Sequence, residues 1–150
     1  MSTEAQLKKD IKEFVDKMTF NLLHDPEVKR TDERFLVHVF VDEPRAFIGE
    51  RGANLRDVQS LFRMVVNKKY GPEVQVDLDV NGYKQRRAEF LKEFALTARR
   101  RVLDGENLLE MEPMNGFDRR IIHTTLADFD DVETESVGEH PYRKVVVRSV

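Results

Sequence analysis

The sequence predicts an α+β protein built from two small α/β modules in tandem. Three observations lead there. Amphipathic helical stretches alternate with short apolar strand-like runs through the first half; an Asn-Gly pair at 81 and 82 punctuates the chain near its middle; and two β-rich runs at the end flank "GEHP". At 150 residues and 40% hydrophobic content the chain can bury a core, and its length suits one domain or two very small ones.

Residues 4 to about 17 carry Leu7, Ile11, Phe14 and Val15 at three- and four-residue spacing, a helix with one buried stripe. "MTFNLLHDPEVKRTDERFLVHVFV" then places strand formers on both sides of a polar, Pro-containing stretch. Within it Phe35, Val37, Val39 and Val41 alternate with Leu36, His38 and Phe40, so the run is apolar on both faces and predicted to be central in a sheet. Pro44 starts a one-turn helix. From Ala53 to about Lys69, Leu55, Val58, Leu61, Phe62, Val65 and Val66 define the buried face of a longer helix, stopped by "YGPE". "VQVDLDV" (74 to 80) alternates strictly and reads as a strand covered on one side.

The second half opens on the Asn81-Gly82 turn and a long helix to about Leu103, with Leu91, Phe94, Ala95, Ala98 and Val102 on its core face. Tyr83, Phe90 and Phe94 are expected to be core residues. After "DGEN" and a short extended "LLEME", a further helix is predicted with Asn115 as its cap and Asp118 three positions on, close to a capping box. "DVETESV" and "YRKVVVRSV" close the chain as a hairpin.

Composition narrows the chemistry. With no cysteine, disulfides and thiolate metal sites are excluded and a reducing, cytoplasmic setting is expected. The charged N-terminus lacks a signal-peptide core, and no apolar run approaches the ~20 residues of a membrane span, so membrane insertion is not expected. The four histidines, His24, His38, His123 and His140, show no metal-ligand spacing, and neither a Walker motif nor G-x-S-x-G is present. His123 near Arg119 could act as a general acid, but no second base is visible, so no enzyme and no cofactor are expected. The net charge of −3 argues weakly against a protein that coats nucleic acid. Its positives are nevertheless clustered, seven Lys/Arg against two Glu over 82 to 101. Arg86, Arg87, Arg99, Arg100 and Arg101 are expected to pair with nearby acids by default.

The most informative stretch is "AFIGERGANL" (46 to 55). A G-x-x-G is commonly a tight turn in which glycine supplies a positive φ. Between two helices it also lets a nucleic-acid backbone approach where no Cβ stands, with the amides of the next helix facing a phosphate and Arg51 adding a charge-assisted contact. On this picture Gly52→Asp should remove loop binding and leave the fold intact. A second candidate lies in the helix from Gly116 to Ala127. There Phe117, Ile121 and Ile122 are expected to point one way, and Arg119, Arg120 and His123 roughly the other. Arg119 and His123 stand four apart, suited to grip a phosphate or stack on a base. The plain alternative is a solvated face whose His makes a structural hydrogen bond. Arg143, Lys144 and Arg148 could extend this face as a phosphate track.

With "FIGERG" between a short and a longer helix and "VDLDV" closing the unit, residues 35 to 80 resemble a KH domain. "GYKQRRAEF", "LEMEPMNGFDRRIIHTTLAD" and "VETESVGEHPYRKVVVR" are similar to the bacterial R-three-H domain. In this order they resemble the Jag (SpoIIIJ-associated, KhpB) family of RNA-binding regulators linked to cell division and envelope growth. The resemblance implies a type II-like KH domain over 1–80, a three-stranded sheet with helices on one face, and an R-three-H domain over 81–150, helices on a small sheet. It implies single-stranded RNA as ligand, with single-stranded DNA as a second candidate, and a small KH-only protein or a second copy as partner. The expected contacts are Gly49, Glu50, Arg51 and Gly52 in the loop and Arg119, Arg120, His123, Arg143, Lys144 and Arg148 in the second module. Two departures stand out. The chain is expected to lack the extra amino-terminal domain common in the family, so recruitment attributed to that region is not carried over; and Glu50 sits where relatives often have a basic residue, repelling a phosphate at ~4 Å by about 1 kcal/mol in water-like screening. The competing expectation is a protein-interaction regulator with little nucleic-acid affinity.

Overall fold

A computed structural model describes all residues 1–150. The chain divides into two compact units, Met1–Lys84 and Gln85–Val150.

In the first unit the elements run α1 (Thr3–Lys17), β1 (Glu27–Arg30), β2 (Phe35–Val39), α2 (Pro44–Ile48), a 3₁₀ turn (Glu50–Gly52), α3 (Ala53–Tyr70) and β3 (Val76–Val80). Ser2 caps α1 by accepting from the Ala5 amide at 3.2 Å. The sheet order is β1-β2-β3, with β1 antiparallel and β3 parallel to β2, so β2 is central as its composition predicts. The core gathers Leu7, Ile11 and Val15 of α1, Val37 and Val39 of β2, Leu55, Phe62 and Val66 of α3, and Val76, Leu78 and Val80 of β3.

Several expectations change here. The first strand lies inside the polar "EVKR" rather than in "MTFNLL", because Glu27–Arg30 pairs with His38–Phe35 across the Thr31–Arg34 turn; Leu22 makes only an isolated bridge to Val41. The second face of β2 is not core, since Leu36, His38 and Phe40 are only half-buried. On α3, Leu61 and Val65 are exposed, at 55% and 44%, because Leu55, Val58, Phe62 and Val66 already fill the stripe that meets the sheet.

The second unit holds most of α4 (Tyr83–Arg101), then β4 (Leu108–Glu110), α5 (Gly116–Leu126), β5 (Val132–Val137) and β6 (Lys144–Ser149). Its antiparallel sheet has the order β4-β6-β5. Leu91, Ala95, Ala98 and Val102 pack with Leu109, Met111, Ile122, Leu126, Val132, Val145 and Val147.

The predicted division after residue 80 moves four residues on, and the reason is local. Asn81 and Gly82 form the expected turn with positive φ, but Tyr83 packs against the first core, while the Lys84 ammonium donates to Asp77 and Gln59 at 2.7 Å each. Phe90 and Phe94 are exposed, not core, at 58% and 38%.

Candidate nucleic-acid interface

The glycine turn is shaped by the protein's own packing. Gly49 (φ +73) and Gly52 (φ +79) occupy conformations that L-residues avoid. A Cβ on Gly49 would lie 2.6 Å from Asn54 Cγ, and Asn54 Nδ2 donates to the Ala46 carbonyl at 2.9 Å, tying α3 back to α2. A Cβ on the buried Gly52 would lie 2.9 Å from Tyr83 Cε1. Both missing side chains therefore make room for Asn54 and Tyr83 rather than clearing a path for a ligand. Gly52→Asp is accordingly not a fold-neutral change, contrary to the expectation from sequence. The exposed residues of the turn are Glu50 and Arg51. Arg51 is itself left-handed (φ 53, ψ 29), a conformation costing a non-glycine residue ~1–2 kcal/mol, and the N-cap at Gly52 offers α3 no side-chain acceptor. The turn thus presents a strained arginine beside a helix N-terminus without a side-chain cap.

In the second unit α5 begins as predicted, with Asn115 Oδ1 accepting from the Asp118 amide at 2.9 Å. The capping box stays half-formed, because the Asp118 carboxylate turns inward. It is 2% exposed and accepts from Arg87 Nη2 at 2.9 Å. This rotates the expected faces. Asp118, Ile122 and Leu126 point into the unit, Ile121 is half-buried, and Phe117 is 53% exposed, away from the core face assigned to it.

His123 is half-buried and faces β5. Its Nδ1 lies 2.7 Å from Thr134 Oγ1 and its Nε2 2.7 Å from Ser136 Oγ. In the neutral ring one nitrogen donates to a hydroxyl and the other accepts from one. Burial, then the nearby charges of Arg119 and Arg143, hold its pKa below the ordinary histidine value, so the ring is neutral at pH 7. It therefore pins α5 to β5 instead of projecting freely into solvent beside Arg119.

The arginines flanking His123 are steered by carbonyls. Arg119 Nε donates to the Met114 carbonyl at 3.2 Å, Arg143 Nη1 donates to the Gly138 carbonyl at 2.7 Å, and the Met114 amide donates to the Arg143 carbonyl at 3.1 Å. A carbonyl orients a guanidinium without neutralising it. Arg120 is exposed on the next position of α5.

Lys144 and Arg148 do not join this group. Strand register puts Thr134 opposite Val147 and Ser136 opposite Val145 on the α5 side, while Lys144, Val146 and Arg148 share the opposite face with Glu110 and Glu135. There Lys144 pairs with Glu110 at 2.6 Å and Arg148 with Glu135 at 3.1 Å, spanning Val146. Arg143 therefore lies near Arg119 and His123, whereas Lys144 and Arg148 are on the other side of the sheet, because alternate strand residues point to opposite sides. Thr134 and Ser136 are not among the site residues expected from sequence. The available signal was two hydroxyl residues spaced by two on the inward side of an alternating strand. No group of three His, Asp or Glu side chains could hold a metal ion, and no helix is long and apolar enough to cross a membrane.

Comparison with known proteins matches residues 89–149 to the R-three-H domain. The chain is 36% identical over 121 residues to the RNA-binding protein KhpB of Clostridium symbiosum, covering 81% of this chain and 54% of that one. It is 37% identical over 100 residues to KhpB of Lactiplantibacillus plantarum, covering 67% of this chain and 31% of that one. With KhpB of Bacillus subtilis the identity is 28% over 125 residues, 82% of this chain and 60% of that one. The chain thus spans from about a third to three-fifths of the length of these relatives.

Proposed function

Because the chain belongs to the KhpB (Jag) family of R-three-H-domain proteins, we propose that it is a non-catalytic regulator that binds single-stranded RNA. The observation that carries this reading is the state of the cations around His123. Arg119 and Arg143 are aimed by backbone carbonyls and keep their charge, on the side of the sheet where α5 packs. A guanidinium so held can grip a phosphate with two hydrogen bonds. Arg120 extends the contact, and His123 acts mainly by fixing the helix that carries Arg119. The element order of the first unit, with its glycine turn between α2 and α3, supports reading residues 1–84 as a type II KH domain. Arg51 supplies its phosphate contact, weakened by Glu50. Single-stranded RNA is favoured over a duplex because short exposed contacts suit unstacked nucleotides. The non-catalytic reading is supported by the setting of His123, whose two nitrogens engage hydroxyls with no carboxylate behind them.

Fluorescence anisotropy of a labelled mixed-sequence oligoribonucleotide, measured over a salt series, tests this. Four cations, Arg51, Arg119, Arg120 and Arg143, each meeting a phosphate give a log–log slope of about −3. Arg119→Ala should weaken binding and make the slope shallower by ~0.7. Absence of binding at low salt would instead support a protein-interaction regulator, and shortening of the labelled RNA would support a nuclease.

A further inference from the structure

The outer face of α3 carries apolar side chains that the first core does not use. Leu61, Met64 and Val65 are 55%, 67% and 44% exposed, while Leu55, Val58, Phe62 and Val66 face inward. Helical periodicity puts the three exposed residues within one sector of about 100°. Asp57 and Lys68 lie in the same sector, since the eleven residues between them make almost three whole turns, and both are exposed. Neither has an ion pair or side-chain hydrogen bond within the chain. The other charges of α3 lie outside the sector: Arg63 reaches the Val76 carbonyl, Lys69 pairs with Asp10, and Arg56 reaches the Arg51 carbonyl. Single exposed apolar residues are ordinary, but three adjacent ones rimmed by charge mark an interaction surface.

The spacing is two-fold symmetric. About the midpoint between Phe62 and Arg63, Asp57 and Lys68 are equally distant, ~8 Å along the axis, and so are Leu61 and Met64, at ~2 Å. Two copies of α3 laid antiparallel about that point bring Leu61 of each against Met64 of the other. Asp57 of each then stands beside Lys68 of the other, at both ends of the stripe. Parallel pairing would set like charges together.

We propose that this face pairs with itself, joining two copies of the chain through antiparallel α3 helices. Charge complementarity selects the occupant, because the stripe carries both members of its own ion pair in the order that a two-fold axis requires. One helix face is smaller than the ~800 Å² per partner of a standard interface, so the dimer is weak, with a dissociation constant on the order of tens of micromolar. The pairing does not depend on the RNA-binding function, but it bears on it. Because α3 starts directly after the glycine turn, antiparallel helices of 18 residues, ~27 Å long, hold the two turns at opposite ends of the pair. One RNA strand meeting both turns gains avidity from the link.

Sedimentation equilibrium of the full chain without RNA, from about 1 to about 500 µM, tests the pairing. The average mass should rise with concentration from one chain towards two. Leu61→Ser/Val65→Ser should weaken association at least about tenfold, with circular dichroism showing the variant folded, since both side chains lie outside the core. Asp57→Lys alone and Lys68→Asp alone each set like charges together at both ends, and each should weaken it on the order of tenfold. A one-to-one mixture of these two variants joins opposite charges at both ends again and should recover most of the affinity. A chain that stays monomeric throughout overturns the pairing, as does a dimer that neither set of substitutions weakens. Charge variants that mixing does not rescue overturn the antiparallel arrangement. A monomeric chain that binds RNA leaves the RNA-binding function standing, and a dimer that binds none leaves the pairing standing.

Discussion

The role assigned to His123 can be separated from that of Arg119 by stability alone. His123→Ala removes two hydrogen bonds of 2.7 Å, to Thr134 and Ser136, that join α5 to β5. Each such bond contributes about 0.5–1.5 kcal/mol net, and removing the half-buried ring also forfeits packing, so a loss of ~2 kcal/mol is expected. For a unit of this size that lowers Tm by roughly 8–16 °C. Ser136→Ala breaks one of the two bonds and should lose ~1 kcal/mol, and a double-mutant cycle between His123 and Ser136 should return a coupling of about 0.5–1.5 kcal/mol. Arg119→Ala forfeits one Nε bond to a backbone carbonyl and should cost less stability than His123→Ala while losing more RNA affinity. Urea unfolding followed by circular dichroism, together with anisotropy well below the melting range, measures both. An unchanged unfolding midpoint for His123→Ala, or zero coupling to Ser136, would refute the pinning role and return His123 to the solvent-facing contact predicted from its spacing.

Other perturbations have defined outcomes. Arg51→Gly relieves left-handed strain and should stabilise the first unit by about 1 kcal/mol while weakening RNA binding, read by thermal melts and anisotropy on the same samples. Glu50→Lys exchanges a repulsive charge for an attractive one and should raise affinity and steepen the salt slope by ~0.7. Arg87→Ala strands the buried Asp118 carboxylate and should destabilise the second unit by about 3–5 kcal/mol, whereas Arg87→Ala/Asp118→Asn should recover much of that loss in urea melts. The His123 pKa, lowered in the free protein, makes the unfolded state the stronger proton binder. Stability should therefore fall as pH drops through the ordinary histidine value near ~6.5, and a bound phosphate should move the His123 NMR titration upward.

Local signals placed most elements, because helical and strand periodicities are written within a dozen residues. The Asn115 cap, the Pro44 turn and the closing hairpin are of this kind. What escaped depends on partners distant in sequence. An aspartate at the inward position of α5 makes sense only once Arg87, 31 residues earlier, is known to meet it. With Asp118 turned inward, Phe117 is carried out to solvent. Alternation separates Arg143 from Lys144 and Arg148, yet only the register of β5 against β6 says which side meets α5. The glycine turn is legible in its spacing, but its cause, two vacancies filled by Asn54 and Tyr83, depends on the fold.

An acidic chain can bind an anionic polymer when its cations differ in how they are held. Carboxylates engage Arg87, Arg99, Arg101, Lys144 and Arg148, so these positions contribute little net field. Arg119 and Arg143 are positioned instead by the Met114 and Gly138 carbonyls, which fix direction while leaving the charge whole. The same distinction explains the depressed pKa of His123, since burial of the ring and two uncompensated guanidiniums beside it disfavour a third positive charge. A phosphate arriving there relieves that repulsion as well as meeting the arginines. Binding should for this reason be local and strongest where the field is least cancelled, in spite of a net charge of −3.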